Sequence, residues 1–256
     1  MPDNVTDLRI VAALRAAGCV FAEDEAALLT ATARTPAELA AMVDRRVAGL
    51  PLEHVLGWAG FYGLRVHVSP GVFVPRRRSE FLVDQAVKLL TPPATVVDLC
   101  CGTGALGAAI AATLPGTDLY AADIDPAAVR DARRNIPGGH VYEGDLYAPL
   151  PPGLRGRVDL LVANTPYVPS GEVPYLPAEA RVHEPQVALD GGSDGLDILR
   201  RVAGAAPEWL APGGHLLIET SEHQAPAAVT AFAHAGLAPR TAHSEDLNAT
   251  IIIGTR

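Results

Sequence analysis

Apolar residues after about position 94 follow two alternating patterns. Short, nearly continuous apolar runs are typical of buried parallel strands, whereas longer segments with apolar residues every three to four positions are typical of helices packed on a sheet. The predicted strands are 95–99, 119–124, 140–143, 158–163, 215–220 and 249–253, and the predicted helices are 105–114, 126–135, 196–210 and 227–235. This alternation predicts a parallel, doubly wound α/β sheet, which binds ligands beyond the carboxyl ends of its strands.

The beginning of the chain has a helical pattern without strands. A first helix is predicted over 5–17, with Gly18 as its C-terminal cap, and a second over 23–33. A third helix starts at Thr35-Pro36-Ala37-Glu38, because threonine is a good N-cap and proline favours the first helical position. It runs to about residue 48, so three short helices form a small helical domain or cap.

A glycine-punctuated stretch follows the third helix. Its β-like pieces at 61–62 and 64–68 predict a hairpin, and a helix predicted over 79–90 opens the next domain. We therefore predict three parts, namely an N-terminal helical domain (1–48), a linker with a β-hairpin (49–80) and an α/β domain (81–256).

The composition narrows the classes of partner. The formal net charge is -9, which disfavours generic nucleic-acid binding because phosphate backbones attract lysine and arginine. No apolar run approaches the ~20 residues of a membrane span, and the polar N-terminus is not typical of a signal peptide. The three cysteines form no C-x-x-C pair and the histidines lack metal-ligand spacing, so we expect neither a disulfide nor a metal site. This cysteine usage favours the reducing cytoplasm.

The first predicted strand of the α/β domain ends in a glycine-rich turn. Its sequence, D-L-C-C-G-T-G-A from Asp98 to Ala105, leads into a helix. Gly102 and Gly104 predict a tight turn that brings backbone close to a ligand, and Gly107 lets the helix pack near the sheet. A G-x-G turn alone is weak evidence, and Gly107 completes the dinucleotide pattern G-x-G-x-x-G, so a dehydrogenase is not excluded.

Acidic residues end the next two strands. Asp123 can accept hydrogen bonds from both ribose hydroxyls, or it can cap the next helix, although Asp125 before Pro126 fits the cap better. Asp145, in E-G-D-L, either contacts an adenine amino group or is a simple loop acid. These acids favour an adenosine ligand but leave NAD and S-adenosylmethionine equally open.

The fourth strand ends in Asn164-Thr165-Pro166-Tyr167. The Asn164 carboxamide oxygen can accept a hydrogen bond from an N–H group, Pro166 stiffens the backbone beside it, and Tyr167 offers a flat face. Together they can hold a planar –NH2 group. Acceptors that bind its two hydrogens orient the group and disperse the positive charge that develops on its nitrogen, which favours transfer of a chemical group to that nitrogen. The alternative is an ordinary β-turn with proline.

Read as a whole, the sequence resembles the HemK/PrmC family of protein-(glutamine-N5) methyltransferases, which methylate the glutamine of the GGQ motif in peptide chain release factors. The resemblance covers about Val47 to Arg256. Its motifs, in chain order, are G-L-P-L-E-H-V-L-G, F-Y-G-L, V-P-R, D-L-C-C-G-T-G, A-D-I-D-P, G-D-L-Y, N-T-P-Y, V-H-E-P-Q-V-A-L-D-G-G-S-D-G-L-D and P-G-G-H-L-L-I-E-T-S-E-H-Q. It implies a seven-stranded class I methyltransferase sheet, a small N-terminal helical domain that helps to grip a protein substrate, and S-adenosylmethionine as the cofactor.

The resemblance also implies roles for individual residues. Asn164 and Tyr167 would bind the glutamine amide, Asp123 the ribose, and Asp145 with Leu146 the region around adenine. The residues predicted to bind the cofactor are Asp98, Cys100, Cys101, Gly102, Thr103, Gly104, Asp123, Ile124, Asp145, Leu146 and Asn164. The predicted catalytic residues are Asn164, Pro166 and Tyr167, and the predicted substrate contacts are Asn164, Thr165, Pro166, Tyr167, Arg76 and Glu184.

Three departures from the family pattern concern the substrate. Thr165 replaces the first proline of N-P-P-Y, which restores an N–H and loosens the turn. Pro75–Glu80 reads P-R-R-R-S-E where the family usually has P-R-P-E-T-E, and Cys100, which we expect to be a small buried residue and no nucleophile, replaces a glycine. An alternative hypothesis is therefore methylation of another peptide, amide or small-molecule amine. Two other hypotheses are methylation of adenine N6 in a nucleic acid, whose target is again a planar amine, and a non-catalytic binding module, which only Thr165 supports.

Overall fold

The N-terminal part of the structure consists of short helices around a core of their own. The structure is a computed structural model that describes the backbone of residues 4–256 and the side chains from Leu8 onward. The first helices are α1 (Asn4–Ala16), α2 (Ala22–Thr32), α3 (Pro36–Val47) and α4 (Leu52–Leu56). Thr35 caps α3 as predicted, because its Oγ1 accepts a hydrogen bond from the Glu38 N–H at 3.1 Å.

These helices bury one apolar cluster. It includes Leu14, Leu29, Met42 and Val55 and is separate from the apolar clusters on the sheet. The separate core is what an independently packed unit needs. The predicted division of the chain at residues 48 and 80 stays a prediction.

A hairpin and a helix lead into the large sheet. Strands β1 (Trp58–Phe61) and β2 (Leu64–His67) pair antiparallel, and α5 (Glu80–Leu89) follows a single 3-10 turn at Arg77–Ser79. The remaining elements are β3 (Ala94–Leu99), α6 (Ala105–Thr113), β4 (Thr117–Asp123), α7 (Pro126–Asn135), β5 (His140–Glu143), β6 (Val158–Ala163), α8 (Ala178–His183), α9 (Asp197–Trp209), β7 (Leu210–Thr220), α10 (Ala225–His234), β8 (Ala238–Ser244) and β9 (Ala249–Thr255).

Seven strands form the large sheet, in the order β5-β4-β3-β6-β7-β9-β8. The first five of these are parallel, whereas β9 runs antiparallel to both β7 and β8. The prediction of an α/β sheet with helices on both faces is confirmed, and the prediction that all of its strands are parallel is wrong. The cause is the pair β8 and β9, whose connection is too short for a parallel crossover.

Edge strand β8 was missed because its sequence, A-P-R-T-A-H-S, has no fully buried residue. An edge strand that packs little apolar surface lacks the alternation that identifies strands. The short helices α4 and α8 were also missed, since five or six residues hold too little periodicity. Strand β7 begins at Leu210, five residues earlier than predicted.

The order of the strands decides where a site can form. Strands β4, β3, β6 and β7 are neighbours, so their carboxyl ends lie side by side at one edge of the sheet. The glycine-rich turn, Asp123, Asn164 and Glu219 lie at these ends. Within residues 4–256, no helix has the length and apolar character needed to span a membrane.

Candidate active site

A cavity of about 670 Å³ opens at the carboxyl ends of β3, β4 and β6. This volume is within the usual range for small-molecule and cofactor sites. Twelve of the fourteen residues predicted to bind cofactor or substrate at the strand ends line it, together with both predicted contacts outside those ends. These are Cys100, Cys101, Gly102, Thr103, Asp123, Ile124, Asp145, Leu146, Asn164, Thr165, Pro166, Tyr167, Arg76 and Glu184.

The glycine-rich turn is built from left-handed backbone. Cys100 has φ 53°, Gly102 φ 54° and Gly104 φ 75°. A side chain at Gly102 would face open space, but one at Gly104 would lie 2.6 Å from Ile136 Cδ1. Gly104 is therefore required for packing behind the turn, and it does not line the cavity itself.

Cys100 occupies a backbone conformation that favours glycine, which is the residue usual there in the family pattern. It is half-buried at the cavity, not fully buried as expected, whereas Cys101 is buried. Desolvation raises the pKa of both thiols, with a further contribution from nearby carboxylates. A raised pKa keeps both thiols protonated, which agrees with the expectation that Cys100 is no nucleophile.

Asp123 is held at the end of β4 by two backbone N–H groups. Its Oδ2 accepts a hydrogen bond from Gly102 at 2.8 Å, and its Oδ1 accepts one from Asp125 at 2.8 Å. Asp125 caps α7 through a hydrogen bond from Ala127, as predicted. Burial raises the pKa of Asp123, while the two N–H groups oppose this effect. Asp123 is therefore held in one orientation on the cavity wall, where its carboxylate oxygens can accept further hydrogen bonds from a ligand.

Asp98 lies behind the turn. It is fully buried and does not line the cavity, and its Oδ2 accepts a hydrogen bond from Gly107 at 2.9 Å. No partner among residues 8–256 reaches its Oδ1. Burial raises the pKa of Asp98 to about 7, with a smaller contribution from Asp123. The predicted contact between Asp98 and the cofactor stays a prediction, and in this structure Asp98 supports the turn from below.

The raised pKa of Asp98 predicts a pH-dependent stability. The folded protein holds this proton up to about pH 7, whereas the unfolded chain loses it near its ordinary value of 3.8. Its stabilising contribution is therefore complete below about pH 4 and is lost as the pH rises through about 7. From pH 5 to 8 we expect the wild-type free energy of unfolding to fall by about 1–3 kcal/mol relative to Asp98→Asn.

Urea unfolding of both proteins at each pH measures this difference, and subtracting the Asp98→Asn values removes contributions from the other titrating groups. Parallel pH curves for the two proteins would show that Asp98 is ionised throughout this range.

Two residues predicted near adenine also line the cavity. Leu146 has φ 49° and places its side chain beside the turn. Asp145 is exposed and accepts a hydrogen bond from Arg201 at 2.5 Å. The ion pair was not predicted, because Arg201 is on α9 and 56 residues away in the chain. A contact between Asp145 and an adenine amino group stays a prediction.

Asn164 follows the last residue of β6 and is half-buried. Its Nδ2 donates a hydrogen bond to Ser79 Oγ at 3.4 Å, and no donor among the described side chains reaches its Oδ1. The carboxamide therefore keeps its acceptor oxygen for a ligand. Ser79 was not predicted as a site residue, although it lies in the P-R-R-R-S-E motif.

The turn after Asn164 is tightly packed. Thr165 and Pro166 are buried, and a side chain at Gly191 would lie 2.6 Å from the Pro166 carbonyl oxygen. Gln224 Nε2 donates a hydrogen bond to the carbonyl oxygen of Tyr167 at 2.9 Å. These contacts restrain the tip of β6 through two residues that do not line the cavity, and neither Gly191 nor Gln224 was predicted to do so.

The ring of Tyr167 lies at the cavity, and its hydroxyl contacts the side chains of Arg78 and Glu219. Burial, followed by the charge of Glu219, raises the pKa of Tyr167 to about 12. The phenol is neutral near pH 7, so it can orient a ligand but is a poor general base.

Arg76 and Glu184, which we predicted to contact the substrate, bind each other. Arg76 Nη2 donates to Glu184 Oε1 at 2.7 Å and to Oε2 at 2.6 Å, and the Val74 N–H donates to Oε1 at 3.1 Å. Burial raises the pKa of Glu184, and the charge of Arg76 opposes the shift. Their charges neutralise each other on the cavity wall, and a direct contact with substrate stays a prediction.

The segment around α8 forms a further wall of the cavity. It is fixed at Glu184 by Arg76 and at Glu179 by Arg46, whose Nη1 lies 2.6 Å from Glu179 Oε1. Arg46 is buried and also donates to Glu25 on α2 at 2.6 Å. The Arg46–Glu25 pair is buried within the N-terminal helices, whereas the Glu179 side chain is about half-exposed, so Arg46 joins these helices to the cavity wall through a partly solvated ion pair.

Comparison with known proteins agrees with this geometry. The family model of the methyltransferase small domain matches residues 63–194. The chain is 40% identical over 208 residues to the release factor glutamine methyltransferase of Geobacter sulfurreducens, an alignment that covers 78% of this chain and 72% of that protein. This chain belongs to the release factor glutamine methyltransferase family. Its resemblance to that family is confirmed.

Two further similarities add to this placement. A solved methyltransferase from Pyrococcus furiosus shares the fold, with a TM-score of 0.58, 16% identity and coverage of 84% of this chain and 96% of that one. A 4-amino-L-phenylalanine/4-methylamino-L-phenylalanine methyltransferase from Streptomyces pristinaespiralis is 37% identical over 191 residues, covering 71% of this chain and 65% of that protein. The expectation of a class I methyltransferase sheet is confirmed.

The cofactor of the family is S-adenosylmethionine, and the residues of the cavity fit it. The open face of Gly102 admits a ligand close to the backbone, and Asp123 offers carboxylate acceptors for a diol. The apolar side chains of Ile124 and Leu146 can cover a flat ring. These residues would hold the adenosyl part of the cofactor, and Asn164 would lie at the end of the cavity where the methyl acceptor binds.

Proposed function

We propose that this chain transfers a methyl group from S-adenosylmethionine to the side-chain amide nitrogen of a glutamine in a protein, and that the protein is a peptide chain release factor with its GGQ motif. The observation that carries the proposal is the free carboxamide oxygen of Asn164 in the same cavity as the glycine-rich turn and Asp123. The similarity to release factor glutamine methyltransferases supports the choice of acceptor.

The chemistry requires the chain to orient its reactants. When bound, the cofactor supplies a sulfonium methyl group, which is a good electrophile and needs no further activation. A glutamine amide nitrogen is a poor nucleophile because its lone pair is delocalised. Asn164 Oδ1 would accept a hydrogen bond from the amide –NH2, and the Pro166 region would offer a backbone carbonyl as a second acceptor. Two acceptors favour rotation of the amide and disperse the positive charge that develops on nitrogen.

Tyr167 and Ser79 have supporting roles in this proposal. The neutral ring of Tyr167 would pack on the plane of the amide, and Ser79 would hold the Asn164 carboxamide in the orientation that presents Oδ1. The ion pair of the half-buried Arg76 and the buried Glu184 would shape the wall next to the acceptor without adding net charge. The N-terminal helices would contact the protein substrate outside the cavity.

The proposal is tested by incubating the protein with S-adenosylmethionine labelled in the methyl group and a full-length release factor. We expect label on the glutamine of the GGQ motif, located by peptide mass spectrometry. A release factor with glutamate in place of that glutamine is the matched control, and it should remain unlabelled. Absence of label on the wild-type release factor, under conditions in which the cofactor binds, would reject this acceptor.

A second candidate function is N-methylation of a small aromatic amine. Two observations favour it: Thr165 stands where the family pattern has proline, and a relative at 37% identity is named as a 4-amino-L-phenylalanine methyltransferase. An aryl amine is also a planar –NH2 group, so the same Asn164 acceptor would serve it. Adding 4-amino-L-phenylalanine to the labelled cofactor distinguishes the candidates. The net charge of -9 and the lack of a long basic stripe count against an adenine N6 methyltransferase, and Thr165 is the only support for a non-catalytic module.

A further inference from the structure

Arg78 places a positive charge near the methyl-acceptor end of the site. It is the last arginine of the sequence P-R-R-R-S-E. It lies in the 3-10 turn Arg77–Ser79, directly before Ser79, the partner of Asn164. Arg78 lines the cavity, whereas Arg77 does not. A cation is therefore located at the acceptor end of the site.

A buried carboxylate fixes the guanidinium of Arg78. Its Nε donates a hydrogen bond to Glu219 Oε1 at 3.0 Å, and the Glu219 side chain is only 2% exposed. No partner among residues 8–256 reaches Glu219 Oε2. Glu219 depends on Arg78 for charge compensation, since an unpaired carboxylate is costly to bury. A glutamate at position 78 could not supply it.

The same guanidinium reaches Tyr167. Arg78 Nη2 donates a hydrogen bond to the Tyr167 hydroxyl, and the guanidinium carbon lies 5.6 Å from the centre of the ring. The hydroxyl in turn donates to Glu219 Oε1 at 3.5 Å. The hydroxyl end of the ring is thus held by a planar donor and a buried acceptor, a geometry that arginine provides and lysine does not.

Thr165 lies two residues before Tyr167, at the tip of β6. No ring fixes its φ angle, as one would in a proline. Its hydroxyl is buried and has no partner among the described side chains, so the hydroxyl does not replace the restraint of a proline ring. Packing at Gly191 and the hydrogen bond from Gln224 restrain the backbone of this tip, and Arg78 anchors the side chain that the tip presents.

We propose that Arg78, paired with Glu219, is a positioning residue that fixes the Tyr167 ring for the methyl acceptor. The inference rests on the proposed function, in which Tyr167 contacts the acceptor. It adds that the acceptor geometry of this chain depends on the cation at position 78.

Steady-state kinetics of Arg78→Gln test the proposal, with Arg77→Gln as the matched control because Arg77 is exposed, belongs to the same turn and has no ion pair among the described side chains. With the release factor as acceptor, and 4-amino-L-phenylalanine in parallel, we expect kcat/KM of Arg78→Gln to fall at least about tenfold, mainly in kcat. The Kd for S-adenosylmethionine should stay within about threefold. Arg78→Lys should recover part of the loss, because lysine keeps the positive charge but lacks the planar set of N–H donors of a guanidinium.

A double variant separates positioning of Tyr167 from a general structural effect. If Arg78 acts through the Tyr167 hydroxyl, Arg78→Gln should change kcat/KM by less than about threefold in a Tyr167→Phe background. An undiminished loss in that background, or equal effects of Arg78→Gln and Arg77→Gln, would overturn the proposal.

Hydrogen exchange supplies a readout that needs no acceptor. In the presence of S-adenosylmethionine, the backbone amides of Thr165, Tyr167 and Val168 should exchange at least about tenfold faster in Arg78→Gln than in the wild type or Arg77→Gln. Unchanged exchange would overturn the proposal even in an active enzyme. If neither acceptor is methylated by the wild type, the proposed function fails, and the exchange result still decides the role of Arg78.

Discussion

Replacing Asn164 by alanine should lower kcat/KM for the methyl acceptor by about 100- to 1,000-fold, the usual cost of losing one polar contact to developing charge. The affinity for S-adenosylmethionine should change by less than about tenfold, or ~1.4 kcal/mol. The expectation follows from geometry, because Asn164 uses its Nδ2 on Ser79 and keeps Oδ1 without a donor in the described residues. Label transfer and calorimetric titration with the cofactor measure the two quantities.

The aspartate variant shows which atom of Asn164 matters. Asn164→Asp keeps an acceptor oxygen but loses the donor to Ser79, so we expect it to retain more activity than Asn164→Ala. Ser79→Ala should have a smaller effect than either, since it removes only the partner of the carboxamide. A loss of cofactor affinity as large as the loss of activity in Asn164→Ala would contradict the acceptor role and assign Asn164 to the cofactor.

Elements with a strong local pattern or a cap were the most predictable part of the fold. The bounds of β5, β6 and α7 agree with the sequence prediction to the residue, because each has a strong local pattern or a cap at its start. Edge strand β8 could not be found in this way, because its environment is set by solvent and not by the core. The antiparallel direction of β9 could not be predicted either, because a run of apolar residues does not indicate whether the strand is parallel or antiparallel to its neighbours.

The strand-end residues of the site could be predicted for a simple topological reason. Parallel strands of one sheet have their carboxyl ends at the same edge, so Asp123 and Asn164 line the same cavity although 41 positions separate them in the chain. Asp98 is an instructive exception. Its side chain accepts a hydrogen bond from Gly107 and is enclosed by the start of α6, so a polar residue at a strand end supports the site without lining it.

The contacts that hold the site residues could not be predicted from local sequence. Arg78 and Glu219 are 141 positions apart, and Arg76 and Glu184 are 108 positions apart. Each residue lies within a motif of the family, yet no spacing rule connects the members of a pair across the sheet. Sequence patterns identify where chemistry can occur, whereas partner and orientation depend on packing between elements that are distant in the chain.

Replacing Asp123 by alanine should weaken the binding of S-adenosylmethionine by about 2 kcal/mol, or roughly 30-fold, because hydrogen bonds to a charged acceptor are stronger than those between neutral groups. The carboxylate is fixed by the N–H groups of Gly102 and Asp125, so it can meet a diol without reorganisation. Calorimetric titration with the cofactor, and with its demethylated product, measures the change.

Two further variants separate binding from support of the turn. Asp118→Ala removes the same charge from an exposed position of β4, and its cofactor affinity should equal that of the wild type. Asp123→Asn keeps one carbonyl acceptor but loses the charge, so its affinity should lie between those of the wild type and Asp123→Ala. If Asp123→Ala kept full affinity for the cofactor and lost only stability, the carboxylate would serve only to brace the turn at Gly102, and the diol would have to be bound by another group.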